Sequence, residues 1–281
     1  MTRPEDMRPL VDRAVAGDAD ALDAVVLALQ DDIYNLSMRM LGGRADAQDA
    51  TQEILVQIVT HLAQWRGDAS LRTWAWKIAT RYLQRAKKSL DEQVSSLEAI
   101  EQLIEMGNAN PAMPAMQEAE LEVLQEELKL ACTQGMLTSL DRDQRISWIL
   151  AEIFELDSRE VADILEVDAA THRKRLSRAR EKLGSWMHDN CGIVNPKNPC
   201  SCRRQIPVAL EVGAIDPQNI QFATHPEGPS PRRKTRPAFD DADQVKLAAY
   251  TLCCHPDYAA PETFRRRIRE LIDSGSLRLL N

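Results

Sequence analysis

A chain of 281 residues, 44% hydrophobic and 28% charged, is long enough for two or three small domains with cores of their own. Its 5 Trp, 4 Tyr, 4 Phe and 11 Gly are too few for a β-sandwich or barrel, and the predicted class is all-α. No apolar run approaches the roughly 20 residues that span a bilayer, and the opening MTRPEDMRPLVDR lacks the layout of a signal peptide, so a cytoplasmic protein without membrane insertion is expected.

The net charge is −8, yet residues 91–130 alone carry −9. The rest of the chain is balanced or mildly basic. An acidic total therefore does not exclude nucleic acid, although such a chain would hold DNA weakly without a large partner.

In chain order, a short helix is predicted near residues 5–16. A longer one follows over 20–41, where Leu22, Val25, Val26, Leu29, Ile33, Leu36 and Met40 form an apolar stripe that stops at Gly42-Gly43. Ala47, Ala50, Ile54, Ile58 and Leu62 repeat the pattern over 46–62, and a further helix runs from about Ser70 to Lys88. These elements make one helical domain, residues 1–90. Residues 91–117 lose periodicity around Gly107, Asn108, Asn110, Pro111 and Pro114, and are read as an acidic linker. Helical patterning returns over 118–187. Residues 188–281 are rich in proline and are read as a mostly irregular C-terminal extension with a terminal helix near Phe264 to Leu271.

Within the second domain, Asp157 and Glu160 are placed to cap a short helix carrying Val161, Ile164 and Leu165. Glu166-Val167-Asp168 makes the turn, and a second helix begins at Ala169 with Asp168 as its N-cap. That helix buries Leu176, Ala179 and Leu183. It carries Arg173, Lys174, Arg175, Arg178, Arg180 and Lys182 against one acid, Glu181. A short capped helix, a tight turn and a basic helix are the parts of a helix-turn-helix, whose second helix sets its N-terminal side chains at base edges and later ones along phosphates.

This segment resembles region four of the extracytoplasmic-function (ECF) group of bacterial sigma factors, with Arg145, Glu160-Val161-Ala162 and Thr171-His172-Arg173-Lys174-Arg175-Leu176-Ser177-Arg178-Ala179-Arg180 in the family's order. Glu166 stands where the family usually has Gly, and His172 where Val is usual. Asp46-Ala47-Gln48-Asp49-Ala50-Thr51-Gln52-Glu53 is similar to the family's region two, the surface that docks on core RNA polymerase. Helical spacing sets Asp46, Asp49 and Glu53 within about 60° of one another, beside the apolar stripe. Trp65 to Ala79 is similar to the loop and helix that engage unwound promoter DNA, a task suited to stacking faces and cations.

The resemblance implies an RNA polymerase sigma factor, not an enzyme. Its partners would be core polymerase, through Asp46, Asp49, Gln52 and Glu53, and promoter DNA, through Trp76, Lys77, Arg81 and Arg85 in region two and Thr171, Arg173, Lys174, Arg175 and Arg178 in region four. Trp74 is expected in the core, as in the family's pattern. An anti-sigma factor is a candidate partner. A one-component operator-binding regulator is the alternative, and a thiol oxidoreductase a distant one.

Six cysteines remain: Cys132 alone, Cys191, Cys200 and Cys202 together, and Cys253-Cys254 beside His255. His188, Cys191, Cys200 and Cys202 supply four donors in 15 residues, enough for a zinc or other thiolate-bound metal, while a redox switch and simple packing stay open as readings. No cofactor is required by the sigma-factor reading. Cys253 and Cys254 are expected to pack as small hydrophobes.

Overall fold

The computed structural model describes residues 7–86, 96–109, 115–223, 248–249, 251–253 and 255–274. Among them are eleven α-helices and no strand. They divide into two compact units, the first drawn from the N-terminal residues to 86 together with 159–168 and 258–274, the second from the remainder.

In the first unit, Pro9 opens α1 (Arg8–Val15), and Gly17 at φ 95° turns the chain into α2 (Ala19–Leu41). The Asp18 side chain caps α2 by accepting from the Asp20 and Ala21 amides at 3.1 and 3.0 Å, and Gly42 at φ 87° closes the other end. These bonds, the Ala21 amide foremost and Arg13 next, hold the Asp18 carboxyl below its ordinary pKa. α3 (Arg44–Thr60) and α4 (Leu71–Arg85, capped by Ser70) pack on α2 around Val25, Leu29, Ile33, Leu36, Ile54, Ile58, Ala75, Ala79 and Leu83.

The C-terminal segment completes this unit. The Asn35 amide, 2% exposed, clasps Tyr258 at both backbone groups: Nδ2 donates to its carbonyl at 2.7 Å, and its N–H donates to Oδ1 at 2.9 Å. The Ala260 N–H donates to Asp31, and Arg39 lies over the Tyr258 ring. The terminal helix then packs on α2, with Phe264 edge-on to Tyr34 and Arg269 paired with Asp23.

The second unit begins with α5 (Leu97–Ala109), inside the stretch expected to be an irregular linker. Gly107 lies within that helix and ends no turn. A Cβ there would stand 1.9 Å from the Gln205 side-chain oxygen and 3.1 Å from Val208, so glycine marks a close helix approach. α6 (Glu118–Thr138) and α10 (Cys202–Glu211) share an apolar cluster of Leu121, Leu124, Leu128, Ile206, Ala209 and Ile215. α7 (Arg142–Trp148) runs on into a π-turn over Ile149–Ile153, and α9 (Ala169–Asn190) packs against it. Buried Arg145 donates to the carbonyls of Leu137, Thr138 and Leu140, closing the end of α6. Glu127, also buried, accepts from the amides of Gln221, Phe222 and Ala223 and ties down the extension. Among the described residues of the extension, α10 packs on α5 and α6, and the terminal helix expected from sequence packs on α2.

Candidate nucleic-acid interface

On α9, helical periodicity sorts the cations. His172, Leu176, Ala179, Leu183 and Met187 are buried, and Arg173, Lys174 and Arg178 are exposed without an acidic partner among the described residues. Thr171 is half-buried beside them. Arg175 is turned inward, paired with Asp143 at 2.5 Å, Arg180 pairs with Glu152, and Lys182 donates to the Ser139 carbonyl. The exposed basic face is therefore narrower than the sequence suggests, because half of its cations anchor the helix to its own unit.

The turn before α9 sits in the first unit. It follows α8 (Ser158–Leu165), whose end is closed by the Glu166 and Val167 amides donating to Asp163 and Ala162. Glu166 has φ 55°, the left-handed conformation that glycine adopts freely and that costs other residues about 1–2 kcal/mol. Its carboxylate receives both arms of the Arg81 guanidinium, and Asp163 receives Lys77 at 2.8 Å. Hydrogen bonding to Arg81 is the leading reason the Glu166 carboxyl lies below its ordinary pKa, and the same bond raises Arg81. Two of the cations expected to meet DNA are thus held by carboxylates, Asp163 on α8 and Glu166 in the turn after it. Arg85 is exposed and bears no such pair among the described residues.

The tryptophans require a correction. Trp76, expected at DNA, is 1% exposed and buried beneath the Arg72 guanidinium, whose carbon lies 4.3 Å from the ring centre. Trp74, expected in the core, is only half-buried and lines a surface concavity with Gln57, His61, Arg81, Tyr82 and Arg85. The register explains the exchange. Residues 71, 75, 79 and 83 face the core, which puts 76 on its flank and leaves 74, 78, 82 and 85 in an outward stripe. That aromatic and basic stripe at steps of three and four was visible in the sequence.

On α3, Asp46, Asp49 and Glu53 are exposed, Gln52 is half-buried, and Ala47, Ala50, Thr51 and Ile54 face the core. None of the three carboxylates is paired among the described residues. Tyr82 stands near enough that Glu53 and Asp49, after burial, push its hydroxyl pKa up.

The donor set expected for a metal is not assembled as such. Among the described residues no group of three or more His, Cys, Asp or Glu side chains stands at metal-holding distance. The His188 carbonyl accepts from the Asn195 and Asn198 side chains in the hairpin after α9, and its ring Nδ1 is buried without a hydrogen-bond partner among the described residues. Cys253 donates to the Glu152 carbonyl, His255 meets Thr133 at 2.9 Å, and Cys254 lies outside the described residues. No helix among the described residues is long and apolar enough to cross a membrane.

The family model of Sigma-70 region 2 matches residues 25–92, and that of Sigma-70 region 4 matches residues 130–183. The chain is 28% identical over 188 residues to the RNA polymerase sigma-H factor of Pseudomonas aeruginosa, an alignment spanning 65% of this chain and 94% of that protein. It is 28% identical to the ECF RNA polymerase sigma factor SigW of Bacillus subtilis, covering 62% and 92%. Identity to the ECF RNA polymerase sigma-E factor of Escherichia coli K12 is 30% over 179 residues, 62% of this chain and 90% of that one. With both regions in order, the chain belongs to the ECF group of the sigma-70 family of RNA polymerase sigma factors.

Proposed function

We propose that this sigma factor docks on core RNA polymerase through the α3 face bearing Asp46, Asp49, Gln52 and Glu53, and reads promoter DNA with α9 and α4. The observation that carries the reading is the sorting of charge on α9: among the described residues Arg173, Lys174 and Arg178 stay exposed without an acidic partner while Arg175, Arg180 and Lys182 are tied into their own unit. Cations that stabilise a fold are paired; those left in water at the start of a helix suit phosphates and base edges. Thr171 sits at that same end. On α4, Trp74 and Tyr82 offer stacking faces, and Lys77, Arg81 and Arg85 offer charge to an unwound strand. The role is non-catalytic, needs no cofactor, and places the factor with polymerase in the cytoplasm.

The α3 assignment is tested by Asp49→Arg combined with Glu53→Arg. Both residues are exposed, so the fold should survive. A folded variant should fail to bind core polymerase and give no promoter-specific run-off transcript. Undiminished binding by that variant removes α3 from the docking surface.

A further inference from the structure

Four cysteines from three places in the sequence converge in the second unit. Cys132 lies one turn beyond Leu128 on α6, and Cys202 one turn before Ile206 on α10. Leu128 and Ile206 share an apolar cluster, so the two thiols extend the same helix contact. Cys191 follows the end of α9. The hairpin after it is folded by the Val194 and Asn195 amides donating to the Cys191 carbonyl and by the Asn195 and Asn198 side chains donating to the His188 carbonyl. The hairpin returns Cys200 so tightly that a Cβ at Gly192 would stand 2.1 Å from the Cys200 carbonyl oxygen.

We propose that Cys132, Cys191, Cys200 and Cys202 form a thiolate site for one tetrahedral divalent cation of the zinc class, clamping α6, the end of α9 and the start of α10 together. Relative to the set suggested by spacing alone, Cys132 replaces His188. Three features of the surroundings fit. Each of Cys191, Cys200 and Cys202 acts electrostatically on Cys132, so the four sulfurs share one neighbourhood. Lys129 near Cys202 and Arg204 near Cys200 offset the negative charge of four thiolates around a dication. Cys191 is buried and Cys132, Cys200 and Cys202 are half-buried, as suits the closed four-coordinate sites of structural zinc. Binding is a proton exchange: four S–H groups release four protons to solvent as one cation takes four sulfurs, at about 2.3 Å each for zinc. Among the described residues these donors do not yet stand at metal-holding distance, so the cation would draw the sulfurs together as it binds.

The full chain, purified reduced and without chelator and then dialysed against zinc, should retain one equivalent by elemental analysis. Replacement with cobalt should give the sulfur-to-cobalt charge-transfer and tetrahedral ligand-field bands. Removing the metal should raise the number of thiols open to a mild alkylating reagent by four. Cys132→Ser should weaken the charge-transfer band and metal retention, and His188→Gln should leave both unchanged. If Cys132→Ser does not fold, the alkylation count in the unaltered chain decides alone. The proposal is overturned if the chain retains no metal, if chelation leaves the alkylation count unchanged, or if His188→Gln loses the ion while folded Cys132→Ser keeps it.

Discussion

His172 occupies a core position on α9 with no exposed surface, and neither ring nitrogen has a hydrogen-bond partner among the described residues. Burial first, and then Arg173, Arg180 and Arg175, lower its pKa in the folded chain. A histidine so held is neutral, and the unfolded chain, near the ordinary ~6.5, binds the proton more readily. Its contribution is therefore complete above that value and is lost as pH falls toward the folded pKa. We expect His172→Val to stabilise the second unit by about 1–3 kcal/mol, since two unsatisfied nitrogens leave the core. The variant should also flatten the acid side of the stability profile, as read by urea unfolding above and below the ordinary histidine range. An unchanged acid slope would show that other groups set it. Sequence marked this site as unusual, because a ring stands where the family places Val; only the packing showed that nothing meets its nitrogens. Glu166 is the parallel case at the turn, where the departure from Gly is realised as a left-handed residue whose side chain binds Arg81.

Among the elements, α4 and α8 carry the most direct consequence for DNA. Asp163 and Glu166 hold Lys77 and Arg81, and any strand using those cations must displace the carboxylates. Most of these side chains are well exposed, and such pairs contribute about 0–1 kcal/mol each. Asp163→Asn with Glu166→Gln should therefore tighten binding of a single-stranded oligonucleotide by up to roughly tenfold at low salt, an advantage that fades as salt is added. Fluorescence anisotropy across a salt series reads this directly. Equal affinity at every salt concentration would show that Lys77 and Arg81 do not meet DNA. The helices of the first unit were legible in periodicity because each buries one stripe. Two features were not. The linker helix α5 was hidden by Gly107, whose role is set by Gln205 and Val208 nearly a hundred residues away. The exchange of Trp74 and Trp76 turned on a rotation of about 100° per residue around Ala75, which the family pattern overrode although the stripe 74, 78, 82, 85 was there to be read.

At the scale of the whole molecule, the extension is divided between the units: residues up to 257 belong to the second and those from 258 to the first. The similar relatives align over some 62–65% of this chain and nearly all of their own length, so their alignment accounts for the two sigma regions and not for the whole of this tail. Here the cores have come to depend on it. Leu121, Leu124 and Leu128 of α6 pack on Ile206, Ala209 and Ile215, and Glu127 is satisfied by amides of 221–223. Cutting the chain after residue 189 strips the partners from that cluster and leaves a buried carboxylate without its three donors, a loss of several kcal/mol on the scale of core truncation. That truncation should lower the thermal midpoint sharply, bind a hydrophobic dye and lose promoter-specific transcription through misfolding. Cutting after 257 removes a different set of contacts, the Asn35 clasp, the Tyr258 ring over Arg39 and the Phe264 edge on Tyr34. It leaves the α6 and α10 cluster untouched. The shorter deletion should keep the unfolding of the second unit and speed hydrogen exchange along α2 and the part of α3 that meets the terminal helix. If removal of 190–281 yields a stable, fully active factor, the tail is an appendage and its packing against α6 contributes nothing to the working fold.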